Sequence, residues 1–501
     1  MMGKIRYIAA FDVGTTAVKG VLVDEMGRPA AARSIDIPTL FTGEWKEQNP
    51  QSWWDAFQRI SLEFTALFPP GQIEALVMSG QMQDLIPLDE ALDPVCNAIL
   101  YSDGRAEPQT ERLKAAVGPE RILKITGNRC DGSLPLPKLM WLKENCPELY
   151  ARTRHILISS KDYLLARLTG VCAGDVTACS TAGAMDLAQK CWSEDLLDAA
   201  GVSPELFPRL FAAHEKVGGV RPEAAMACGY LSGTPVFAGT GDAGATTLAS
   251  GIAAPGQYSV NLGTSGWVAA MSGGPLLTEE GVFNLAAMPA GRYINVVPFL
   301  NAGNVHGWLT GLMAEFSGGA ADYGVLSVLR WGKGQEKREP GSGGVLFLPY
   351  LLGERFPVLD PNARGCYIGL TPRTSAANLA RAALEGVAFS IRQGLERLDA
   401  APQRVSLIGG GGREDVWCQI LADVLGREIA VFRDGSLLPA MAVASAALLG
   451  LGKITCYEKF TASLSGAKNC VPYAPRPDCG GIYGPLYEKF RRLHPALQTL
   501  W

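Results

Sequence analysis

The sequence predicts an α/β protein built from two similar halves, and three observations carry that prediction. A strand-like run at residues 7–10 leads to Asp12-Val13-Gly14-Thr15-Thr16. Half a chain later, Gln257-Tyr258-Ser259-Val260 leads to Asn261-Leu262-Gly263-Thr264-Ser265. Both read apolar strand, Asp or Asn, apolar residue, Gly, Thr, hydroxyl residue, and each offers a phosphate-sized turn. The length of 501 residues exceeds what one hydrophobic core serves, so two domains are the default. A hydrophobic content of 48% with 58 glycines suits a well-packed α/β enzyme rather than a disordered or fibrous chain.

The totals exclude several classes. With 45 basic and 49 acidic residues, a net charge of −4, there is no electrostatic case for nucleic acid. The twelve cysteines contain no C-x-x-C pair, and most sit in apolar segments such as Val416-Trp417-Cys418-Gln419-Ile420. They read as scattered reduced thiols of a cytosolic protein. Histidines 155, 214, 306 and 494 lack ligand spacing, which argues against zinc. The opening MMGKIRYIAAFDVGTT is too poor in apolar residues for a signal peptide and reads as a strand. The longest apolar run, 437–451, falls short of the ~20 residues a membrane span needs and reads as a buried Ala-rich helix. A cytoplasmic protein with no membrane partner is the expectation.

In chain order, residues 5–13 and 18–24 read as strands joined by Gly14-Thr15-Thr16. That turn is either a plain hairpin or a place where a phosphate meets backbone amides and hydroxyls. Asp12, at the strand end, could hold a metal ion through its hydration shell. Asn49-Pro50 opens a helix with Trp53, Phe57, Ile60, Phe64 and Leu67 on one core-facing stripe. A strand at 73–78 releases Ser79-Gly80-Gln81-Met82-Gln83-Asp84, the way open α/β sheets build ligand sites. A strand at 98–101 ends in Ser102-Asp103-Gly104-Arg105, where Asp103 and Arg105 either pair with each other or serve a ligand. Pro137-Lys138-Leu139 and Lys161-Asp162-Tyr163 start helices, whereas Asp175-Val176-Thr177, Ser180-Thr181 and Trp192 show no usable periodicity.

Next comes Asp242, flanked by Gly239, Gly241 and Gly244, a carboxylate on a glycine-rich turn. Residues 296–300 read as a strand leading to Asn301-Ala302-Gly303-Asn304 and a helix. Residues 333–344 are the most linker-like stretch, a surface loop rather than a boundary. After a buried strand at 345–350 and the dense loop from Gly353-Glu354-Arg355 to Gly365, residues 375–398 carry a helical stripe. A strand at 405–408 meets Gly409-Gly410-Gly411-Gly412, then a helix through Val416, Ile420 and Val424. Those glycines permit close approach of a flat ring or phosphate, but they match neither the dinucleotide fingerprint nor a Walker A loop.

Gly365-x-Tyr367-x-Gly369-Leu370, seven further residues, then Asn378-Leu379-x-x-Ala382-Ala383-Leu384-Glu385 resembles the C-terminal signature of the FGGY carbohydrate kinases. Gly353-Glu354-Arg355 with Asp360-Pro361-Asn362-Ala363-Arg364-Gly365 is similar to the xylulokinase branch. So are Thr126-Gly127-Asn128, Pro137-Lys138-Leu139 and Ser79-Gly80-Gln81-Met82. The resemblance spans residues 7–450; the last ~50 residues carry no motif.

It implies a duplicated actin-like, hexokinase-like (ribonuclease H-like) ATPase fold with an interdomain cleft. A sugar-binding domain would occupy 1–252 and a nucleotide-binding domain 253–501. It further implies ATP and Mg2+, with Asp12 near the metal and Gly14, Thr15 and Thr16 as first phosphate loop. Gly263, Thr264 and Ser265 would form the second, and Gly410 and Gly411 the adenosine motif, with Gly303 and Glu414 as neighbours. Asp242 matches the catalytic base; Gln81, Met82, Gln83 and Asp103, with Asp242, fall on the sugar side. By analogy a homodimer is expected. Where the branch reads Gln-Met-His-Gly this chain has Gln81-Met82-Gln83-Asp84, a neutral amide and a carboxylate in place of an imidazole and glycine. D-xylulose leads as the acceptor, with another ketose, a polyol or an aldonate as alternatives. Outside the kinases stand an actin-like ATPase and a silent sugar sensor.

Overall fold

Two seven-stranded sheets carry the chain. The computed structural model describes residues 5–277, 281–317, 340–398, 402–432, 435, 437–464 and 470–501, so residues 333–339 of the expected surface loop lie outside the described residues. The first sheet contains β1 (Tyr7–Val13), β2 (Ala17–Asp24), β3 (Pro29–Asp36), β4 (Ile73–Gly80), β5 (Lys216–Gly219), β6 (Pro235–Phe237) and β7 (Thr240–Gly241). Their order is β5-β6-β4-β1-β2-β3, with β7 also on β4. The second contains β8 (Tyr258–Leu262), β9 (Gly266–Ser272), β10 (Phe283–Ala286), β11 (Tyr293–Phe299), β12 (Arg404–Ile408), β13 (Glu428–Phe432) and β14 (Cys470–Tyr473), in the order β10-β11-β9-β8-β12-β13-β14. In both sheets an antiparallel hairpin, β1-β2 or β8-β9, is continued by a parallel strand, β4 or β12. The repeat read from the two turns is thus a repeat of architecture.

The helices that matter here are α1 (Pro50–Leu67), α2 (Pro135–Asn145), α3 (Ser160–Thr169), α4 (Val176–Cys179), α5 (Asp242–Ala249), α6 (Gly303–Ser317), α7 (Ala376–Arg397), α8 (Asp415–Leu425), α9 (Leu438–Gly450) and α10 (Cys479–Phe490). Strand β1 is apolar almost throughout because both of its faces are covered. Ala9, Phe11 and Val13 pack with Trp53, Phe57, Ile60 and Phe64 of α1. Ile8 and Ala10 pack with Ala245 and Leu248 of α5 and Val443 and Leu448 of α9. Helix α1 starts where expected, with the Asn49 side chain accepting from the Gln51 amide and Pro50 in the first turn. Leu67 departs from the predicted stripe: it is 56% exposed, while Phe64 in the same turn is fully buried.

The run at 437–451 forms α9, which is apolar on every side because it lies between the sheets. Its cluster also takes in Ile408 of β12 and Phe432 of β13, so a helix from the second half closes the first sheet. Among the described residues no helix is long and apolar enough to cross a membrane. On the opposite edge, β10 is fastened to the first half. Thr177 donates to the Ala286 carbonyl (2.7 Å), the Ala286 amide donates to Ser180 (2.9 Å), and Asn128 exchanges bonds with Asn284 (2.8 and 2.9 Å).

The motif-poor C-terminus has a structural role. Tyr483, Tyr487 and Phe490 of α10 surround Phe389 of α7. Glu385, the last residue of the signature, accepts from the Gly341 amide, Ser342, Arg381 and Tyr483. The signature is therefore a staple between α7, α10 and the loop before residues 346–348, not a catalytic group.

Chain crossing explains one glycine beside the site. Gly239 has φ +65°, and a Cβ there would lie 1.8 Å from the Met78 carbonyl oxygen. Gly233 has φ +83° with nothing within 4 Å. Gly233→Ala should cost about 1 kcal/mol, the backbone price alone. Gly239→Ala adds a backbone clash and should cost at least about 3 kcal/mol. Denaturant midpoints of the two variants check the contrast.

Candidate active site

Three strands of the first sheet end together. In the parallel registers Asp12 of β1 lies beside Ser79 of β4, and Ser79 beside Thr240 of β7. This juxtaposes the first turn, the 79–84 loop and Asp242 at the carboxyl ends of the strands, where such sheets bind ligands. The turn at 14–16 is tied down by the Gly14 amide donating to the Ala17 carbonyl (3.0 Å). Thr15 donates to Gln81 (2.6 Å), Gln81 donates to Gln48 (3.0 Å), and Gln48 donates to the Thr15 carbonyl (2.6 Å). Trp53 also donates to Gln48. Gln81, expected on the sugar side, is 1% exposed and spends its amide oxygen on Thr15 of the 14–16 turn and its amide nitrogen on Gln48, which holds the same turn. Gln48 went unnoticed in the sequence because nothing local marks it; its partners are brought in by the fold.

Asp12 accepts from the Ser79 hydroxyl (2.8 Å), and burial holds its carboxyl above the usual range. Asp242 is not on a turn, as its flanking glycines suggested, but is the first residue of α5. Burial, then the charge of Asp12, pushes it up to about 7, with the Ala243 amide acting in the opposite direction. Gly241 before it leaves room for Met82, whose sulfur would meet a Cβ at 2.4 Å.

Behind Asp242 lies a buried triad that showed no sequence signal. Lys161 contacts Asp162 (2.5 Å) and Asp175 (2.8 Å), all three fully enclosed. Asp175 caps α4 through the Thr177 and Ala178 amides and also accepts from the Gly241 amide (3.3 Å), so it braces the residue before Asp242.

On the sugar side, Met82 packs in an apolar cluster with Ala178 and, from the second sheet, Met271 and Ile294. Gln83 has φ +65° and is partly exposed. Tyr101, missed in the sequence, is 38% exposed and lies beside the Thr15 hydroxyl, within reach of the charges of Asp242, Asp84 and Arg355. Burial raises its phenol, so it stays a donor. Asp103 takes the other of its two readings: it holds Arg105 through both oxygens (2.9 and 2.6 Å) and accepts from the Lys46 amide. Arg105 in turn lies over the rings of Trp45 and Trp141 (4.3 and 4.9 Å).

From the second half, Gly263-Thr264-Ser265 joins β8 to β9 with both hydroxyl residues exposed. Gly303, expected beside the nucleotide, opens α6 and donates to the Gly263 carbonyl (2.8 Å), with Asn304 donating to Thr264 (2.9 Å). A Cβ on Gly303 would lie 2.4 Å from that carbonyl oxygen, so its job is close contact with the loop. Gly410 and Gly411 form a helical turn after β12. A cavity of about 180 Å³ opens there between Asn261, Ile408, Gly410, Phe432 and Thr246 of α5. Gly411 itself backs onto Leu262. Glu414 precedes α8, and its charge reaches His306, which stacks on Trp417. Helix α5 thus begins with Asp242 and, one turn on, lines the cavity of the other half.

Lys161→Met leaves two buried carboxylates without their counter-charge and should cost about 3–5 kcal/mol at neutral pH. Asp162 is already raised to about 6 by burial, and losing the lysine raises it further. The penalty exists while the carboxylates are charged, so it should be largest at alkaline pH, shrink as the pH falls through the raised Asp162 range of the variant and be mostly gone by about 6. Urea melts of the variant and parent across pH measure this.

Comparison with known proteins agrees with the geometry. Residues 7–249 match the FGGY family of carbohydrate kinases, N-terminal domain, and residues 258–448 match its C-terminal domain. The chain is 32% identical to the xylulose kinase of Escherichia coli (strain K12), covering 98% of this chain and 99% of that one. It is 29% identical to the gluconokinase of Bacillus subtilis (strain 168), covering 98% and 96%. The crystal structure of ligand-bound xylulose kinase from Lactobacillus acidophilus superposes with a TM-score of 0.90 at 26% identity, covering 98% of each chain. A matching strand-end turn in each half, a carboxylate at the head of the helix that lines the glycine-rich cavity, and family likeness over both halves lead to one conclusion: the chain belongs to the FGGY family of carbohydrate kinases, ATP-dependent sugar phosphotransferases.

Proposed function

We propose that the enzyme transfers the γ-phosphoryl group of ATP to a hydroxyl of a neutral ketose, D-xylulose foremost, with Asp242 as general base. The observation that carries this reading is the position of Asp242. It is a half-buried carboxylate held near neutrality at the head of α5, with a phosphate-sized turn on one side and the glycine-lined cavity one turn along its helix. A base poised near the operating pH is the efficient one for deprotonating an alcohol.

The acceptor binds to the first half, 1–252, and the nucleotide to the second, 253–501. Met82, Gln83 and Tyr101 wall the acceptor, while Asp242 takes the proton of the attacking hydroxyl. The amides and hydroxyls of Thr15, Thr16, Thr264 and Ser265 receive phosphate oxygens. Adenosine lies against Gly410. The carboxylates of Asp12 and Asp242 and the neutral Gln83 and Tyr101 favour an uncharged acceptor over an aldonate. Curated relatives named xylulose kinase support D-xylulose, and relatives named gluconokinase define the competing acceptor class.

Magnesium fits this donor set. Asp12 is a partly buried carboxylate fixed by Ser79, and its charge disfavours ionised Asp242, a repulsion a cation relieves. Among the described residues no cluster of three or more metal-binding side chains occurs, which suits an ion held by one carboxylate, water and phosphate oxygens. When bound it supplies charge neutralisation on the triphosphate.

A coupled ADP-release assay across pentuloses, hexuloses, polyols and aldonates tests the acceptor. The strongest response should come from D-xylulose, and a preference for gluconate would overturn the neutral-acceptor reading. Asp242→Asn should lower kcat by about 10²–10⁴-fold with nucleotide affinity unchanged; an active Asp242→Asn enzyme would place the base elsewhere.

A further inference from the structure

Behind the acceptor walls lie two further buried ionisable groups, separate from the Lys161 triad. Lys138 of α2 and Asp84 are both fully enclosed. The Lys138 ammonium donates to three backbone carbonyls: Gln83 (3.0 Å), Leu100 (2.7 Å) and Ile99 (3.4 Å). It thereby stitches the 81–84 loop to the 99–103 loop. Asp84 accepts from the Tyr101 amide (3.1 Å), and its own amide donates to the Ile158 carbonyl. Its second oxygen, Oδ2, has no hydrogen-bond partner. Gln83, gripped through its carbonyl, has the left-handed backbone that a residue with a side chain rarely adopts.

These contacts are expensive ones for a protein to keep. A buried charge pair is often no more stabilising than apolar residues of the same volume, and an unpartnered carboxylate oxygen costs further. Burial pushes Asp84 up and Lys138 down, each partly restored by the other. What the pair does deliver is geometric. It fixes the two residues that face the cleft, Gln83 through its carbonyl and Tyr101 through its amide, without touching the cleft itself.

We propose that Lys138 and Asp84 form a positioning latch that holds Gln83 and Tyr101 in the acceptor-binding arrangement, so that the pair governs acceptor affinity rather than phosphoryl transfer. The inference rests on the acceptor-binding reading of Gln83 and Tyr101 given above. The latch acts through backbone groups, so its loss loosens both walls while leaving Asp242, the phosphate turns and the nucleotide cavity in place.

The decisive experiment is the double replacement Asp84→Leu with Lys138→Met, which exchanges the pair for apolar residues, compared with parent, Lys138→Met and Asp84→Asn. The expected result is a double variant that melts at or above the parent temperature yet shows an acceptor KM raised at least tenfold. Its kcat at saturation and its KM for ATP should stay within about threefold, a split that loss of packing alone does not produce. Lys138→Met alone removes the three carbonyl contacts and should raise the acceptor KM in the same sense, which covers a double variant that does not fold, whereas Asp84→Asn keeps the shape and the Tyr101 contact and should stay near the parent value. A folded double variant, or Lys138→Met, with an unchanged acceptor KM overturns the latch. A parent enzyme that releases no ADP with any carbohydrate overturns the latch together with the function it rests on, whereas an active parent with unaffected variants overturns the latch alone.

Discussion

The packing of α5 against α9 between the two sheets is the constraint on which the site depends. Helix α5 leaves the first sheet directly after β7, and α9 comes from the second half, yet both bury their apolar sides in one cluster with β1. Because that layer is shared, the head and the body of α5 belong to different parts of the site: Asp242 serves the strand ends of one sheet and Thr246 the cavity of the other. A helix rises about 1.5 Å per residue, so Asp242 and the wall of the glycine-lined cavity are spaced by covalent geometry rather than by a flexible junction.

Around the head of that helix, carboxylates outnumber cations. Asp12, Asp242 and Asp84 influence one another or the same neighbours, and Asp162 and Asp175 lie just behind. Two lysines compensate part of this charge, each from complete burial: Lys161 beneath the base and Lys138 beneath the acceptor walls. The division of labour follows from their partners. Lys161 is satisfied by carboxylates and steadies Asp175 and hence Gly241; Lys138 is satisfied by carbonyls and steadies loops. What the lysines leave uncompensated lies at Asp12 and Asp242, facing the cleft, where a cation accompanying a triphosphate would be most strongly attracted.

Legibility from sequence followed the range of the interactions involved. The two strand-joining turns could be read because strand, Gly and hydroxyl residues are contiguous, and α1 because Asn49-Pro50 and its stripe are local. Leu67 failed because periodicity marks a helix face but not which residues on that face are covered. Gln48, Tyr101, Lys138 and the Lys161–Asp175 pair gave no signal, since each acquires its role from residues far away in sequence. Gln81 and Asp103 stood where a sugar ligand was expected but bind Thr15 and Arg105, a choice made by side-chain partners that only the fold brings near. The signature ending in Glu385 identified the family yet is architectural, because a carboxylate accepting four hydrogen bonds fixes a junction as strictly as chemistry fixes a base.

The acceptor walls and the base stand on different kinds of support. Gln83 and Tyr101 ride on two loops pinned by one lysine, whereas Asp242 rides on a helix locked between sheets. On the proposed function the first is a replaceable module and the second a fixed chassis: substitutions in the loops would redirect the enzyme to another carbohydrate while the groups proposed to handle the phosphoryl transfer stay where they were. A lineage built this way can diversify its diet by small local steps, and kinases for different sugars sharing one scaffold are the natural outcome.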